Sequence, residues 1–444
     1  MASYSKTYED DIYFFVPMTS SVINESAKAI QADSAAANAA MADDDFGSIY
    51  IETITEHVLY ECNNKTFREL KRYFLGKHSL ACYDDNYDGN VKDTEDAYLF
   101  ATVHEKTGLY ILTLAIKDNH YIPTQLIDQM ATKHLDIYDS ETDSYISIED
   151  YAAKRYFLDP CGESKCVICL SNEPEDRNEL AYMLAAETYV SEHITYKIRQ
   201  HHLDAFMRNR ACYDYYDSYI SRSVIAYVFK DYSDDISERI SNEASELFVV
   251  EIVLFQNTAV LRTNRRVMDE FDNDEDLTNE KIEELYEEFG HTMKFWSSDV
   301  FKYTFAQKEA DEVIESFGIA ATLDNYHRNQ QFLDRMIELR GAISSEKSDS
   351  MMNSILFIIS CIDGGSATLA GVLWLLHFFA DESWKYYPLL ETLLRASWIF
   401  VFVGIALFLV FFISSRLSDL SLKRRKNAKA KAKRNIKNRQ KQLH

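Results

Sequence analysis

Cys161, Cys166 and Cys169 form C-x4-C-x2-C. Thiolates at this spacing are close to half of a tetrahedral zinc site, but no fourth ligand follows at the customary distance. The run CVICLS also reads as an ordinary buried strand, in which the thiols serve packing. His201 and His202 fall in a helical stretch, where surface or packing roles compete with ligation. The acids of DEFDNDEDL, Asp269–Leu277, could bind cytoplasmic cations as a gate sensor; solvation of a charged loop is the simpler account. There is no Gly-rich phosphate loop, no H-E-x-x-H and no G-x-S-x-G. No constellation supports catalysis, and the expectation is a protein that is not an enzyme and needs no resident cofactor or metal.

The elements that would position these residues follow from length and charge. A chain of 444 residues with 47% hydrophobic and 13% aromatic content builds an ample core and two or three domains. Only 5 Pro and 12 Gly favour long helices over a turn-rich all-β fold. The formal charge is −24, yet Lys423–His444 holds 11 Lys/Arg and no acid, leaving 36 basic against 71 acidic groups in residues 1–422. So acidic a body disfavours direct nucleic-acid binding, whose phosphate contacts need a basic surface. The opening MASYSKTYEDD has neither a basic nor an apolar leader region, and seven cysteines without such a leader read as reduced thiols in a cytosolic body.

Two segments near the carboxyl terminus are apolar enough to cross a membrane. Ile355–Phe379 and Leu389–Ile413 each run 25 residues, and a hydrocarbon core ~30 Å thick needs about 20 helical residues. Two buried helices of a soluble protein are the competing account, disfavoured by the uniform apolarity of the second segment. The short link ADESWKYYP makes the pair a tight hairpin, with Trp384, Tyr386, Tyr387 and Trp398 as interfacial aromatics. The basic tail stays cytoplasmic under the positive-inside rule. Two crossings then place both termini in the cytoplasm of a multi-pass plasma (inner) membrane protein. Asp381 and Glu382 face outside, where they attract cations. Contact of the tail with anionic lipid is simpler than a nucleic-acid role.

The body has two textures. In residues 1–172, DIYFFVPM, SIYIETI and HVLYEC look like strands, and YLFATV and LYILTLAI form a hairpin turned at Gly108. SAKAIQADSAAANAAM and TQLIDQMATKHL look helical. From about Glu173 the periodicity is helical throughout, with Thr278 as an N-cap candidate. Ile319, Leu323, Tyr326, Leu333 and Ile337 form one apolar row, and Phe332, Met336, Leu339 and Ile343 a second. With no proline between Pro174 and Pro388, a helix from Ile319 to Phe379 would make a rod of ~90 Å that invites oligomerisation. The expected architecture is an α+β cytoplasmic domain (1–172), a helical stalk region (173–350), a two-helix transmembrane hairpin (351–415) and a basic cytoplasmic tail (416–444).

On the first span, Asn353, Ser360, Asp363, Gly364, Ala367, Gly371 and Trp374 fall within roughly one 100° arc. An ionisable residue in mid-membrane faces a bundle interior or water, since lipid exposure costs at least ~2.5 kcal/mol. This stripe is therefore the candidate pore lining, with a ring of Asp363 attracting cations. Small-residue helix packing, with Asp363 protonated or capped, is the alternative.

This order of parts resembles the CorA family of divalent-cation channels. SEKSDSMMNSILFIIS (Ser345–Ser360) is similar to that family's stalk-to-membrane junction. TLAG (Thr368–Gly371) is similar to the small-residue step near the outer end of its first helix. ADESWKYYP stands where the family has its acidic loop, and KRRK (Lys423–Lys426) where it has a basic terminus. Specific similarity covers about the last 130 residues, and upstream it is architectural. The family carries Gly-Met-Asn at the outer end of the first helix, whereas VLWLLHFF stands here. Hydrated magnesium needs oxygen partners that the side chains of Leu373, Trp374 and Leu375 lack.

The resemblance implies a membrane-lipid-embedded homo-oligomer, a pentamer in that family. It also implies two functions. CorA-like proteins without the selectivity motif accompany type III CRISPR systems and respond to a nucleotide messenger of the S-adenosylmethionine–AMP type. Such an antiphage effector opens or perturbs the membrane when the cytoplasmic domain binds the messenger, and the lost motif favours this reading. The alternative is a divalent cation channel with Mg2+, or a similar ion, as the permeant species. No pocket for a messenger is legible in the sequence.

Overall fold

The strand β1 (Asp10–Thr19) buries nine of its ten residues, the mark of a strand covered on both faces. Ile12, Phe14, Val16 and Met18 enter one apolar core, while Tyr13 and Phe15 enter another. That is the two-residue alternation of a pleated strand. The computed structural model of the chain describes residues 10–338 apart from 41–45, 84–89, 120–122, 175, 188–197, 231–234, 273–278 and 298–299. Both expected spans, the whole pore stripe, Asp381, Glu382, the basic tail, Thr278, Leu339 and Ile343 lie outside the described residues.

After β1 come α1 (Ile23–Ala40), α2 (Phe46–Glu61) and the short α3 (Lys65–Arg68). The long strands β2 (Lys71–Tyr83), β3 (Val91–His104) and β4 (Leu109–Ile116) follow, then α4 (Pro123–Ala131). A small hairpin, β5 (Asp136–Asp139) and β6 (Ser144–Ser147), leads into α5 (Ile148–Tyr156). Next are β7 (Asp159–Pro160), β8 (Lys165–Leu170), α6 (Arg177–Ala185) and α7 (Gln200–Phe206). The strands β9 (Tyr216–Ile220) and β10 (Val224–Phe229) precede α8 (Ile236–Asp272), α9 (Asn279–Met293) and α10 (Thr304–Ser316); residues 319–338 are helical too.

One sheet runs in the order β6-β5-β2-β3-β4-β1-β8-β10-β9, with β7 paired to β1. Its pairs are antiparallel except β8 with β10. The helices α2, α8 and α10 pack on one face, and α1, α4, α5 and α6 on the other. The β3–β4 hairpin turns at Gly108 as its sequence predicts, with φ +66. A Cβ there would lie 2.8 Å from Ile23 and 2.9 Å from the Ser20 carbonyl, so only glycine fits.

Two expectations are corrected. SIYIETI and all of HVLYEC but Cys62 are not strands but parts of the helix α2, whose buried residues Phe46, Tyr50, Ile54 and Val58 recur every fourth position; Cys62, just past its end, forms an isolated β-bridge with Phe301. The β-branched isoleucines suggest a strand, but the four-residue period on one face decides for a helix. Nor is the chain wholly helical after Glu173, because β9 and β10 add two strands to the sheet. All six residues of β10 are buried, and periodicity alone does not distinguish so short an apolar run from helix. Ser221 fixes the turn: its Oγ accepts from the Val224 N–H at 3.0 Å. The sheet thus continues past residue 172, and Met1–Arg335 forms one compact unit.

Among the described residues one helix, Ser237–Glu270 within α8, is long and apolar enough to cross a membrane by length and composition. Its most apolar window is 89% buried inside the fold, as a core helix under a sheet would be. The start of the expected rod also packs inward. Tyr326 and Leu333 are buried against Val260 and Val267 of α8 and Ile282, Leu285 and Phe289 of α9, and the Tyr326 hydroxyl donates to the Phe289 carbonyl at 3.1 Å. Phe332, of the second row, stays 48% exposed.

Candidate functional site

Along β2 the ladder is complete on one side only. It pairs with β3 over its whole length, but among the described residues β5 reaches its other side only at Leu80. At this edge α1, from one face of the sheet, and α2, from the other, leave a cleft of 660 Å³. Gln31, Ser34, Ala35 and Asn38 line it from α1, and Ser48, Ile51 and Glu52 from α2. Steps of three and four residues bring each set onto one helix face. Arg72 and Tyr73 complete the lining from β2.

The cleft mixes apolar lining from Ala35 and Ile51 with amides, hydroxyls and the Glu52 carboxylate. Asn38 Nδ2 donates to Ser34 Oγ at 3.4 Å, and Gln31 Nε2 to Tyr73 Oη at 3.4 Å. Tyr73 in turn donates to Glu105 at 3.2 Å, and Lys71 reaches the same carboxylate at 2.7 Å. The Lys71 hydrogen bond holds the Glu105 carboxyl below the usual range. Burial pushes the Tyr73 phenol up, so it stays a neutral donor at physiological pH.

Arg72 anchors the cleft to the core. Its side chain is 2% exposed and pairs with Glu251 of α8, to which Thr102 Oγ1 also donates at 3.0 Å. The guanidinium is thus already neutralised, and the cleft carries no free cluster of positive charge for a polyphosphate. Its volume lies within the ~300–1,000 Å³ usual for small-molecule sites. Its donors and acceptors suit the edges of a base or the hydroxyls of a sugar.

A smaller pocket of 280 Å³ between α1 and α5 differs in kind. Its charges are engaged with one another: Arg155 with Asp33 at 2.9 Å and Glu141 at 2.8 Å, and Lys154 with Asp139 at 2.8 Å.

The residues singled out in the sequence come to other places. Cys161, Cys166 and Cys169 are buried, and Cys166 and Cys169 enter the cores on opposite faces of the sheet, which prevents a shared metal. Burial raises the Cys161 thiol to about 11 and lifts the other two well above their usual range, so all three are packing thiols. His201 and His202 are exposed on α7, their rings 4.0 Å apart. Within the acidic run, residues 273–278 lie outside the described residues, and Glu270 pairs with Lys281 at 2.6 Å. Among the described residues no group of three His, Cys, Asp or Glu side chains could hold a metal ion.

Sequence reasoning missed the charges carried by α8. Arg239 and Glu243, one turn apart, meet Asp11 of β1 and Lys117 beyond β4. Arg239 Nε lies 3.2 Å from Asp11, Lys117 Nζ lies 3.4 Å from Glu243, and Lys117 also contacts Asp11 directly. The Tyr13 hydroxyl donates to Glu243. Burial drives the Glu243 carboxyl up to about 8 against the pull of Lys117. Burial also acts on Asp11, but Lys117, Glu243 and Arg239 together outweigh it and hold that carboxyl low. The available signal was a long apolar helix with charges at core spacing. Compared with protein-family models, curated proteins and solved structures, the chain matches none.

Proposed function

We propose that this chain is a membrane-embedded homo-oligomeric effector. Its α+β body takes up a small polar ligand in the cleft between α1 and α2, and its carboxyl-terminal hairpin opens a path through the membrane. A nucleotide messenger of the S-adenosylmethionine–AMP type is the first candidate ligand, as the likeness to CorA-like CRISPR effectors suggests. One juxtaposition carries the reading: a cleft of ligand size, lined by apolar side chains together with amides, hydroxyls and the Glu52 carboxylate, belongs to the same chain as two 25-residue apolar segments and a basic tail. Arg72 links the cleft floor to α8 through Glu251, so an occupant would act on the core helix as well as on the surface.

Reconstitution into liposomes tests it. Ion or dye release should begin only when the nucleotide is added, and Asn38→Ala with Ser48→Ala should raise the concentration required. Release that starts without any nucleotide and is indifferent to both substitutions overturns the effector reading. That outcome would favour the second reading, a divalent-cation channel, to which Asp363, Asp381 and Glu382 lend support as acids on the proposed ion path. Exchange of Asp363 for Asn should then change ion preference.

A further inference from the structure

A second group of buried acids lies where α10 meets α8 and the end of the sheet, away from the cleft. Glu246 of α8 and Glu309 of α10 are 2% and 7% exposed. Three phenols face them. Tyr215 donates to Glu246 Oε1 at 2.7 Å, Tyr227 of β10 to Glu309 Oε1 at 2.7 Å, and Tyr216 of β9 to Glu246 Oε2 at 3.2 Å. The Tyr216 oxygen lies 3.5 Å from Glu309 Oε2, so one hydroxyl stands between the two carboxyl groups. Three of the four carboxyl oxygens thus have a well-placed phenolic proton, and Glu309 Oε2 has only the long contact.

Two buried carboxylates side by side repel unless a cation or a proton stands between them. Among the described residues neither has a lysine or arginine partner. On α10 itself, Glu312 is paired with Arg210, and Lys308 acts on Cys212. The loop before β9 contributes Cys212, Tyr213 and Tyr215, and Glu61 of α2 acts on Tyr213; none of these supplies positive charge. The geometry points to a proton clasp: one carboxyl proton, carried on Glu309 Oε2 and donated to Glu246, fastens α10 to α8 and to β9 and β10. Removing that proton leaves two anions in a buried site and loosens α10 from the body.

Burial and the neighbouring Glu246 both raise the Glu309 carboxyl well above its ordinary 4.5. The proton is therefore kept in the folded state at a pH where the unfolded chain has lost it. The stabilisation is complete below the unfolded value and declines as pH rises through the folded one.

Hydrogen exchange on the full-length protein in detergent tests the clasp, with protection factors corrected for the intrinsic pH dependence of exchange. In the wild-type chain, protection of residues 304–316 should fall as the buffer is made alkaline, approaching about tenfold per pH unit for one proton. Glu309→Gln keeps both oxygen geometry and a donor toward Glu246, so its protection should be high and flat across the same range. Glu246→Gln removes the neighbouring charge that helps to raise the Glu309 carboxyl but leaves Glu309 buried, so its protection should keep a pH dependence that is shifted to lower pH relative to the wild type. Wild-type protection of α10 that does not change with pH overturns the proposal, and so does a Glu309→Gln variant that follows the wild-type curve. Glu243→Gln serves as control: it alters the cluster at β1 and leaves the α10 profile pH-dependent.

Discussion

The two faces of the sheet are built from different materials. Under α1, α4, α5 and α6 the core is mainly apolar, with Ile12, Phe14, Leu112, Leu114, Leu126 and Ile168 fully buried, beside a few buried polar side chains such as Asp10, Gln125 and Gln129. Under α8 an equally extensive core contains Arg72, Arg239, Glu243, Glu246, Glu251 and Glu309 as well. Apolar burial stabilises by area and is indifferent to pH, at roughly 25 cal/mol per Å². Buried charge depends on its partner, so removing one member is costly while the pair itself adds little. Both faces stabilise the fold by apolar burial, and the greater share of buried charge under α8 makes that face the more responsive to charge.

The largest effect should come from breaking an ion pair on the charged face. Arg72→Ala leaves the Glu251 carboxylate buried with only the Thr102 hydroxyl as partner among the described residues, and urea unfolding should show a loss of about 3–5 kcal/mol. A loss under about 1 kcal/mol would mean that water enters the site, and the contrast between the faces would weaken.

On the apolar face, Leu126→Ala should cost about 2–5 kcal/mol through lost burial and the cavity left behind. Its distinguishing feature is sameness: the loss should be equal in mildly acid and mildly alkaline buffer. A loss that varied with pH would show that the two faces are coupled.

Glu243→Gln is the finest probe. The folded carboxyl holds its proton up to about 8, against 4.5 in the unfolded chain. Between those values the unfolded state releases a proton that the folded state retains, so stability falls as pH rises through that window. Glutamine removes this slope, and the melting temperature of the variant should be flatter across it than that of the wild type. Retention of the full slope would assign it to another group, with Glu309 next in line.

Legibility differed by element for physical reasons. β1, β3, β4 and β8 could be read because long apolar runs with alternating or continuous burial have few other solutions. The turn at Gly108 could be read because a positive φ selects glycine. α2 was misread because Ile49, Ile51 and Ile54 have strand propensity while their helix is stabilised by what Tyr50, Ile54 and Val58 pack against. β9 and β10 are hard to read among helical neighbours: β9, with Asp217 and Ser218 among its five residues, shows no apolar run, and the six-residue apolar run of β10 satisfies either period. The C-x4-C-x2-C spacing promised a shared ligand set until the pleat put Cys166 and Cys169 on opposite faces.

The sequence by itself determined what depends on local composition: which segments are apolar enough to enter lipid, where the basic tail begins, which strands are buried, and where a turn needs glycine. Only the tertiary structure decided what depends on meetings between distant residues. It brought Arg72 to Glu251, Lys117 to Asp11 and Glu243, and Glu246 to Glu309, and it formed the cleft where two helices from opposite faces straddle one strand edge. The worth of a charge is set by its partner and its burial, and neither is a property of the neighbouring letters in a chain.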